Sequence, residues 1–342
     1  MQNTSEWSMF QIWNKAIEQP QERELVKRDY LWASELGKPL ADVWLKMNAE
    51  PETNPPNARS LRKFEAGNLT EWIIKIILIR AGILQSTQER VESNYEGLLR
   101  VSGKIDFIAG GKVDVEGAME MLKVLELPEK TENASKQILE YLVATFPDGL
   151  DKKVIELKSI SSHMMNALEI TKRPLAIHRL QAYHYTKHPD IERADIMYLC
   201  RDDLRMIEFP VYADTPAIED EYRGYIEQAT KAYQSSERPE VAPALIFDED
   251  MGKFSVNRPL GWSSYLTLLT GLQDQAEFDL KYGKIPASFN RVLKRIANND
   301  KMTAKNLEAI AEIKEWGYDA NELATKLVAT EEEDEDENGA NS

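Results

Sequence analysis

Glu156 and Lys158 stand two residues apart in Val154-Ile155-Glu156-Leu157-Lys158-Ser159. The β-branched and aliphatic run, the turn-rich FPDGLDKK before it and the break at Ser159 predict a strand. Alternate strand side chains face opposite ways, so Glu156 and Lys158 share one face while Val154, Ile155 and Leu157 supply the packing. Glu312-Ile313-Lys314 repeats the pattern in a helical context, where residues two apart diverge, so the tripeptide decides nothing alone. Other residues supply the context. Glu71 falls in the first turn of an apolar helix, a place that the helix dipole or a pairing with Lys75 would also explain. Asp106 lies between Ile105 and Phe107 in a strand pattern, where aspartate is depleted and needs a partner or a cation. A later helix sets His178, Gln181 and Tyr185 on one face. In this order the residues describe a divalent-metal phosphodiesterase site. Glu71, Asp106 and Glu156 would offer hard oxygen ligands to Mg²⁺ or Mn²⁺, which polarises the phosphate and lowers the pKa of water. Lys158 would orient that water or stabilise the charge developing on the phosphate. His184 and His188 are four apart, but no acidic or thiol ligand completes a set near them. They read as surface histidines or phosphate contacts.

The elements that must carry these residues follow from periodicity and breakers. Residues Ser8 to Ile17 and Leu25 to Trp44 have helical spacing, the second interrupted at Gly37-Lys38-Pro39. PETNPPNA is irregular, and Arg59, Arg62 and Lys63 after it serve a solvated helix start or a phosphate contact. The helix of Glu71 is predicted over Asn68 to Gly82, capped by Asn68 or Thr70. Its Trp72, Ile73, Ile76, Ile77 and Ile79 cover much of the circumference, which predicts packing on more than one side. Tyr95–Val101 and Lys104–Ala109 read as a hairpin joined at Ser102-Gly103. Residues 112–150 form an insertion, helical at Glu116–Leu125 and Ala134–Phe146. ITKRPLAIHRLQAYHYTKH reads as a helix with Lys172 and Arg173 at its start. Ala194–Cys200 and Arg205–Val211 form a second hairpin, followed by an amphipathic helix at Ile218–Tyr233 and the linker RPEVAP. The stretch after Phe254 is helical again, and Met302–Ala329 reads as two short helices about Gly317, a small interaction module.

Composition narrows the class. The chain has 342 residues, 42% hydrophobic and 29% charged, with a formal net charge of −16. Coating nucleic acid through bulk charge is thereby disfavoured. Seven of those charges come from the run Glu331–Glu337, which leaves −9 on the remainder. The run reads as a disordered, solvated tail, or one that docks on a basic partner or competes with nucleic acid. Cys200 is the single cysteine, so intrachain disulfides and a self-contained four-cysteine site are excluded. The longest apolar stretch, Trp72 to Leu84, is interrupted by Lys75 and Arg80, and no secretory signal opens the chain. An intracellular protein is expected. No Walker loop, GxGxxG or GxSxG motif occurs.

Four spaced motifs resemble the PD-(D/E)XK nuclease superfamily, in its RecB-like and CRISPR-associated exonuclease branch. They are Gly67-x-x-x-Glu71, Gly103-Lys104-Ile105-Asp106, Glu156-Leu157-Lys158 and Gln181-x-x-x-Tyr185. The resemblance covers roughly residues 60 to 235. It implies an α/β, restriction-endonuclease-like core, a central mixed sheet flanked by helices, with added N- and C-terminal helices. On that reading residues 1–58 are an N-terminal helical region, 59–240 the nuclease core, 241–330 a C-terminal helical region and 331–342 the acidic tail. It further implies metal binding by the main-chain carbonyl of Leu157, and an active-site and DNA-path role for Gln181 and Tyr185. Two departures stand out. Many RecB-like members have histidine where Glu71 stands, and many carry a C-terminal cysteine set that holds an iron–sulfur cluster. Asn257 to Tyr265 lacks those cysteines, so no cluster is expected and packing about Trp262 and Tyr265 is expected to replace it. The implied activity is a Mg²⁺- or Mn²⁺-dependent DNA nuclease. An exonuclease acting on DNA ends in phage or bacterial replication, recombination or repair is expected, located in the cytoplasm of a bacterial or phage-infected cell. The alternatives are a structure-specific or restriction-like endonuclease and a non-catalytic assembly protein on the same scaffold. DNA is the expected substrate, with a protein partner at the acidic tail or C-terminal helices, no membrane, and room for an oligomer.

Overall fold

The computed structural model describes residues 25–126, 128–248 and 252–326, together with Ser8 and Lys15. The expected helix at Ser8–Ile17, apart from those two residues, and the acidic run Glu331–Glu337 lie outside the described residues. The chain divides into two compact units. Among the described residues, one takes those up to Lys38, Lys46–Glu50 and Pro56–Glu237, and the other takes Pro39–Leu45, Pro51–Pro55 and those from Arg238 on.

The elements run β1 Tyr30–Trp32, α1 Leu40–Met47, α2 Ala58–Arg80, β2 Leu84–Thr87, β3 Arg90–Ser93, β4 Arg100–Lys104 and β5 Phe107–Gly111. They continue α3 Val115–Val124, α4 Glu129–Thr145, β6 Leu150–Ile160, α5 Ser162–Thr171, α6 Ala176–Tyr185, β7 Arg193–Cys200, β8 Met206–Tyr212 and α7 Pro216–Ser235. The first unit holds a mixed sheet of order β2-β5-β6-β7-β8, in which β6 and β7 are parallel and the other pairs antiparallel. A parallel pair needs a crossover connection, and α5 and α6 provide it. Helix α2 packs Ile74 and Leu78 on one sheet face, against Phe107, Ala109, Ile155, Met197 and Leu199. Helix α6 lies on the other face, where Gln181 meets Lys158 and His178 meets Tyr198. The central mixed sheet flanked by helices agrees with the architecture expected from the sequence.

Several local expectations are corrected. The helix of Glu71 starts ten residues earlier than predicted, because Asn57, not Asn68 or Thr70, caps it by accepting the Ser60 N–H at 3.0 Å. Its second apolar face is not packed by described residues: Trp72 is 62% exposed, with Ile73 and Ile77 also open. Leu25–Trp44 is not a helix but holds β1, a 3₁₀ turn at Ala33–Glu35 and the start of α1. Lys172 and Arg173 do not begin a helix. Lys172 ends α5 at φ +52°, and Pro174 keeps the chain extended until α6.

The largest correction concerns the strand pair of Asp106. Leu84–Ser93 runs against Arg100–Gly111 as one long hairpin, turned near Tyr95–Gly97, where the Leu98 N–H bonds the Tyr95 carbonyl at 3.1 Å. Halfway along, the hairpin bends out of the five-stranded sheet into a second sheet of order β1-β4-β3. At the bend, Gln88 N–H donates to Ile105 O and Ile105 N–H to Glu89 O, each at 2.8 Å. Asp106 thus sits at the bend between β4 and β5, not inside a strand. Gly103, read as a turn residue, lies within β4. A Cβ there would stand 2.7 Å from Ala33 Cβ and 2.7 Å from the Tyr185 ring, so its bare Cα is what lets α6 approach the sheet.

The second unit has an antiparallel pair, β9 Leu245–Asp248 and β10 Lys253–Val256, which the sequence did not announce. The helices α8 Arg258–Gly261, α9 Leu266–Thr270, α10 Gln275–Tyr282, α11 Ile285–Ala297 and α12 Ala304–Glu315 follow, and residues 320–326, the last described, are helical as well. Its core gathers Phe254, Phe278, Phe289, Leu293 and Ile313. Tyr265 belongs to that core, whereas Trp262 is half exposed and does not share its packing role.

Gly103→Ala should destabilise the protein by about 1–3 kcal/mol through overpacking against Tyr185 and Ala33. The free energy of urea unfolding checks it, and an unchanged value would refute the close approach.

Candidate active site

Strand β6 runs beside β5 only as far as the pair Phe107↔Ile155. Beyond it Ile105 turns away at the bend, bonded to Gln88 and Glu89, and β5 offers the Leu157 N–H no ladder partner among the described residues. A buried unpaired amide costs on the order of 1–3 kcal/mol. The Asp106 carboxylate fills the gap, Oδ2 accepting from Leu157 N at 2.9 Å. The bend that takes Asp106 out of the strand also aims it at β6.

On the opposite face of β6 from Leu157, Glu156 and Lys158 stand side by side with Glu156 Oε1 2.5 Å from Lys158 Nζ. Glu156 is only 2% exposed. Its second oxygen, Oε2, is buried with no hydrogen-bond partner among the described residues. Lys158 Nζ also donates to Gln181 Oε1 at 2.9 Å, and Gln181 Nε2 donates to Tyr185 Oη at 3.0 Å. Gln181 and Tyr185 are both buried, so the amide is clamped between a phenol and an ammonium. The face of α6 expected to carry His178, Gln181 and Tyr185 is the face that meets this strand.

Glu71 lies at the rim of α2's packed side, one turn before Ile74. Its Oε1 accepts from Gln88 Nε2 at 3.0 Å. Gln88, from the hairpin bend at φ +58°, was not found from the sequence, because only the tertiary bend brings it to α2. Tyr198 was missed as well. It pairs in register with Lys158 across β6 and β7 and bonds His178 Nδ1 at 2.9 Å. An interior strand tyrosine carries no distinguishing pattern.

Desolvation governs the electrostatics. Burial, reinforced by the charge of Glu156, holds the Asp106 carboxyl well above the ordinary carboxylate range, although the Leu157 N–H and Lys158 oppose it. Burial also raises Glu156, against the pull of Lys158. Burial keeps His178 neutral, and neighbouring Lys158 works the same way. His184 does not join them and is no surface residue. It is fully buried, bonds Tyr222 Oη at 2.9 Å and Val91 O at 3.1 Å, and burial lowers its pKa to about 4. His188 pairs with Glu89 at 3.1 Å.

The donor set fits a hard divalent cation. It consists of carboxyl oxygens, includes a buried one with no hydrogen-bond partner among the described residues, and sets the three carboxyl groups of Glu71, Asp106 and Glu156 against the one ammonium of Lys158. Among the described residues, however, no three acidic, histidine or cysteine side chains converge on one point. Asp106 and Glu156 are drawn to Leu157 N and Lys158, and Glu71 to Gln88.

Asp106 has a folded pKa well above its ordinary value, so its contribution to folding is present only below that ordinary value and is lost as pH rises from there through the raised folded value. Asp106→Asn keeps the acceptor for Leu157 and removes the buried charge. In metal-free buffer at neutral pH it should stabilise the protein by about 0.5–2 kcal/mol, and the gain should shrink toward pH 4. Denaturant unfolding across that range tests both the sign and its pH dependence.

No protein-family model matches the chain. No curated protein matches its sequence. Solved structures that overlap the chain include SSO0001, at 13% identity and a TM-score of 0.40, covering 68% of this chain and 91% of that one. An alkaline exonuclease (LHK-Exo) from Laribacter hongkongensis is similar at 12% identity and a TM-score of 0.34, covering 67% and 96%. LHK-Exo in complex with dAMP gives 12% identity and a TM-score of 0.35, covering 61% and 92%. Scores below 0.5 are loose overlaps that assign neither family nor activity.

Proposed function

We propose that this protein is a divalent-metal-dependent DNA nuclease of PD-(D/E)XK type that hydrolyses phosphodiester bonds, acting as an exonuclease on DNA ends. One observation carries the reading. Two carboxyl groups, Asp106 and Glu156, are both desolvated; Lys158 pairs with Glu156 Oε1, Asp106 has the Leu157 N–H, and Glu156 Oε2 has no hydrogen-bond partner among the described residues. Such an arrangement costs folding energy and returns none of it through packing. Excess buried carboxylate where β5 parts from the central strand β6 is what a cation-assisted site requires.

Asp106 and Glu156 would hold the cation, with Glu71 and the Leu157 carbonyl completing the oxygen set. When bound, Mg²⁺ or Mn²⁺ supplies the charge that polarises a phosphodiester and lowers the pKa of water. Lys158 orients the attacking water or neutralises charge developing on the phosphate. Gln181 holds that ammonium at 2.9 Å and is itself held by Tyr185. The burial of both keeps Lys158 from swinging away.

The purified chain with Mg²⁺ should degrade linear DNA and spare covalently closed circles, and EDTA should stop it. Asp106→Ala and Lys158→Ala should each lower the rate by about a hundredfold or more. Unchanged rates in those variants would refute the site. Circles cut as fast as linear DNA would make the enzyme an endonuclease. Absence of both cleavage and Mg²⁺ or Mn²⁺ binding by calorimetry would leave an assembly protein on a nuclease-like scaffold.

A further inference from the structure

The small sheet β1-β4-β3 has two unlike faces. One is turned inward, with Leu31, Val91 and Val101 buried and Gly103 against Tyr185 and His184. Registers Tyr30↔Arg100, Trp32↔Ser102, Glu92↔Ser102 and Arg90↔Lys104 place Tyr30, Trp32, Arg90, Arg100 and Lys104 together on the other face, with Glu92.

That outer face is unusual in three respects. First, cations outnumber carboxylates on it, in a chain whose formal net charge is −16. Glu92 pairs with Arg100 at 3.0 Å and reaches Arg90 only at 3.8 Å. Second, Arg90 and Lys104 stand directly opposite each other on antiparallel strands. Like charges so placed are destabilising unless an anion joins them. Third, the cations are stacked on rings: the Arg100 guanidinium is 5.1 Å from the Tyr30 centroid and that of Arg90 5.7 Å from Trp32. Tyr30 and Trp32 meet edge to face at 5.0 Å. The side chains of Arg90 and Arg100 are 50% and 40% exposed, so their planes and charges are open to a ligand.

We infer that this outer face binds single-stranded DNA and leads the strand toward the candidate active site. Guanidinium planes and aromatic rings accept unstacked bases, and the same cations take up phosphates. A duplex hides its base faces and would use the charges alone. The strands themselves make the connection: Lys104 lies two residues before Asp106 on the same chain segment, and Gln88, two residues before Arg90, holds Glu71. The destination of the strand rests on the nuclease reading; the binding does not.

The test is fluorescence anisotropy of the full chain with a labelled single strand of about 20 nucleotides, in EDTA so that no cleavage occurs, with an unlabelled duplex as competitor. Arg90→Gln/Arg100→Gln/Lys104→Gln should weaken binding about tenfold or more and flatten the slope of log K against log salt by about 2. Trp32→Phe should retain most of the affinity, and Trp32→Ala should lose fivefold or more for one stacked base, on the order of 1 kcal/mol. Thermal melts identify any variant that fails to fold, in which case the exposed single changes Arg100→Gln and Lys104→Gln decide. Wild-type protein that does not bind the strand, variants that bind it unchanged, or a duplex that competes equally well would each overturn the inference. If the triple variant loses binding while wild-type protein cleaves nothing in Mg²⁺, the nuclease reading fails and the binding face stands. If wild-type protein cleaves DNA and the triple variant binds and cleaves normally, the reverse holds.

Discussion

Where β5 parts from β6, one backbone amide, Leu157 N–H, is left inside the protein without its ladder partner, and a carboxylate rather than a carbonyl answers it. Much of the first unit depends on that substitution. Asp106 reaches the amide only because the chain bends at Ile105, and Ile105 can bend away only because Gln88 and Glu89 bend with it and keep its own N–H and C=O bonded. A carboxylate doing a backbone's work is an expensive choice. It brings a charge to the place where Glu156 already buries one, and desolvation raises both.

The surrounding structure is arranged to tolerate that charge without cancelling it. Lys158 neutralises part of it, and Gln181 and Tyr185 determine where Lys158 can go. The approach of α6 is tight enough that β4 needs glycine at position 103. Below that contact, His184 stays neutral and ties β3 to α7 through Val91 and Tyr222. Contrast Asp195, equally buried, which accepts from Arg193 at 2.6 and 2.9 Å and from Lys153 at 2.5 Å. Each Asp195 oxygen has a cationic partner. The protein can balance a buried carboxylate fully, and at Glu156 it does not.

The bent hairpin gives the two sheets a common backbone. Its half in the large sheet ends at Asp106, and its half in the small sheet presents Arg90, Arg100 and Lys104. A charge pattern on the small sheet is therefore mechanically continuous with the carboxylates, and short segments of extended chain, about 3.3 Å per residue, separate them.

The sequence by itself determined which side chains of the candidate site share a strand or helix face, and most of the elements that carry them. Glu156 and Lys158 share a strand face because side chains alternate, and Gln181 and Tyr185 share a helix face because residues four apart coincide; both facts are local and survived intact. The β7–β8 hairpin and α7 were legible for the same reason. What the sequence could not decide was anything set by one element meeting another. Gly103 looked like a turn because nothing local reveals that a tyrosine from α6 will press on it. Asp106 looked like a strand residue because the bend is imposed by its partner at Gln88, and Gln88 itself carried no signal. His184 looked exposed because burial is a property of the packed whole. The outer face of β1-β4-β3 is the strongest case. Its cations and rings come from three segments spread over some seventy residues, and only strand register, which is a tertiary fact, sets them side by side.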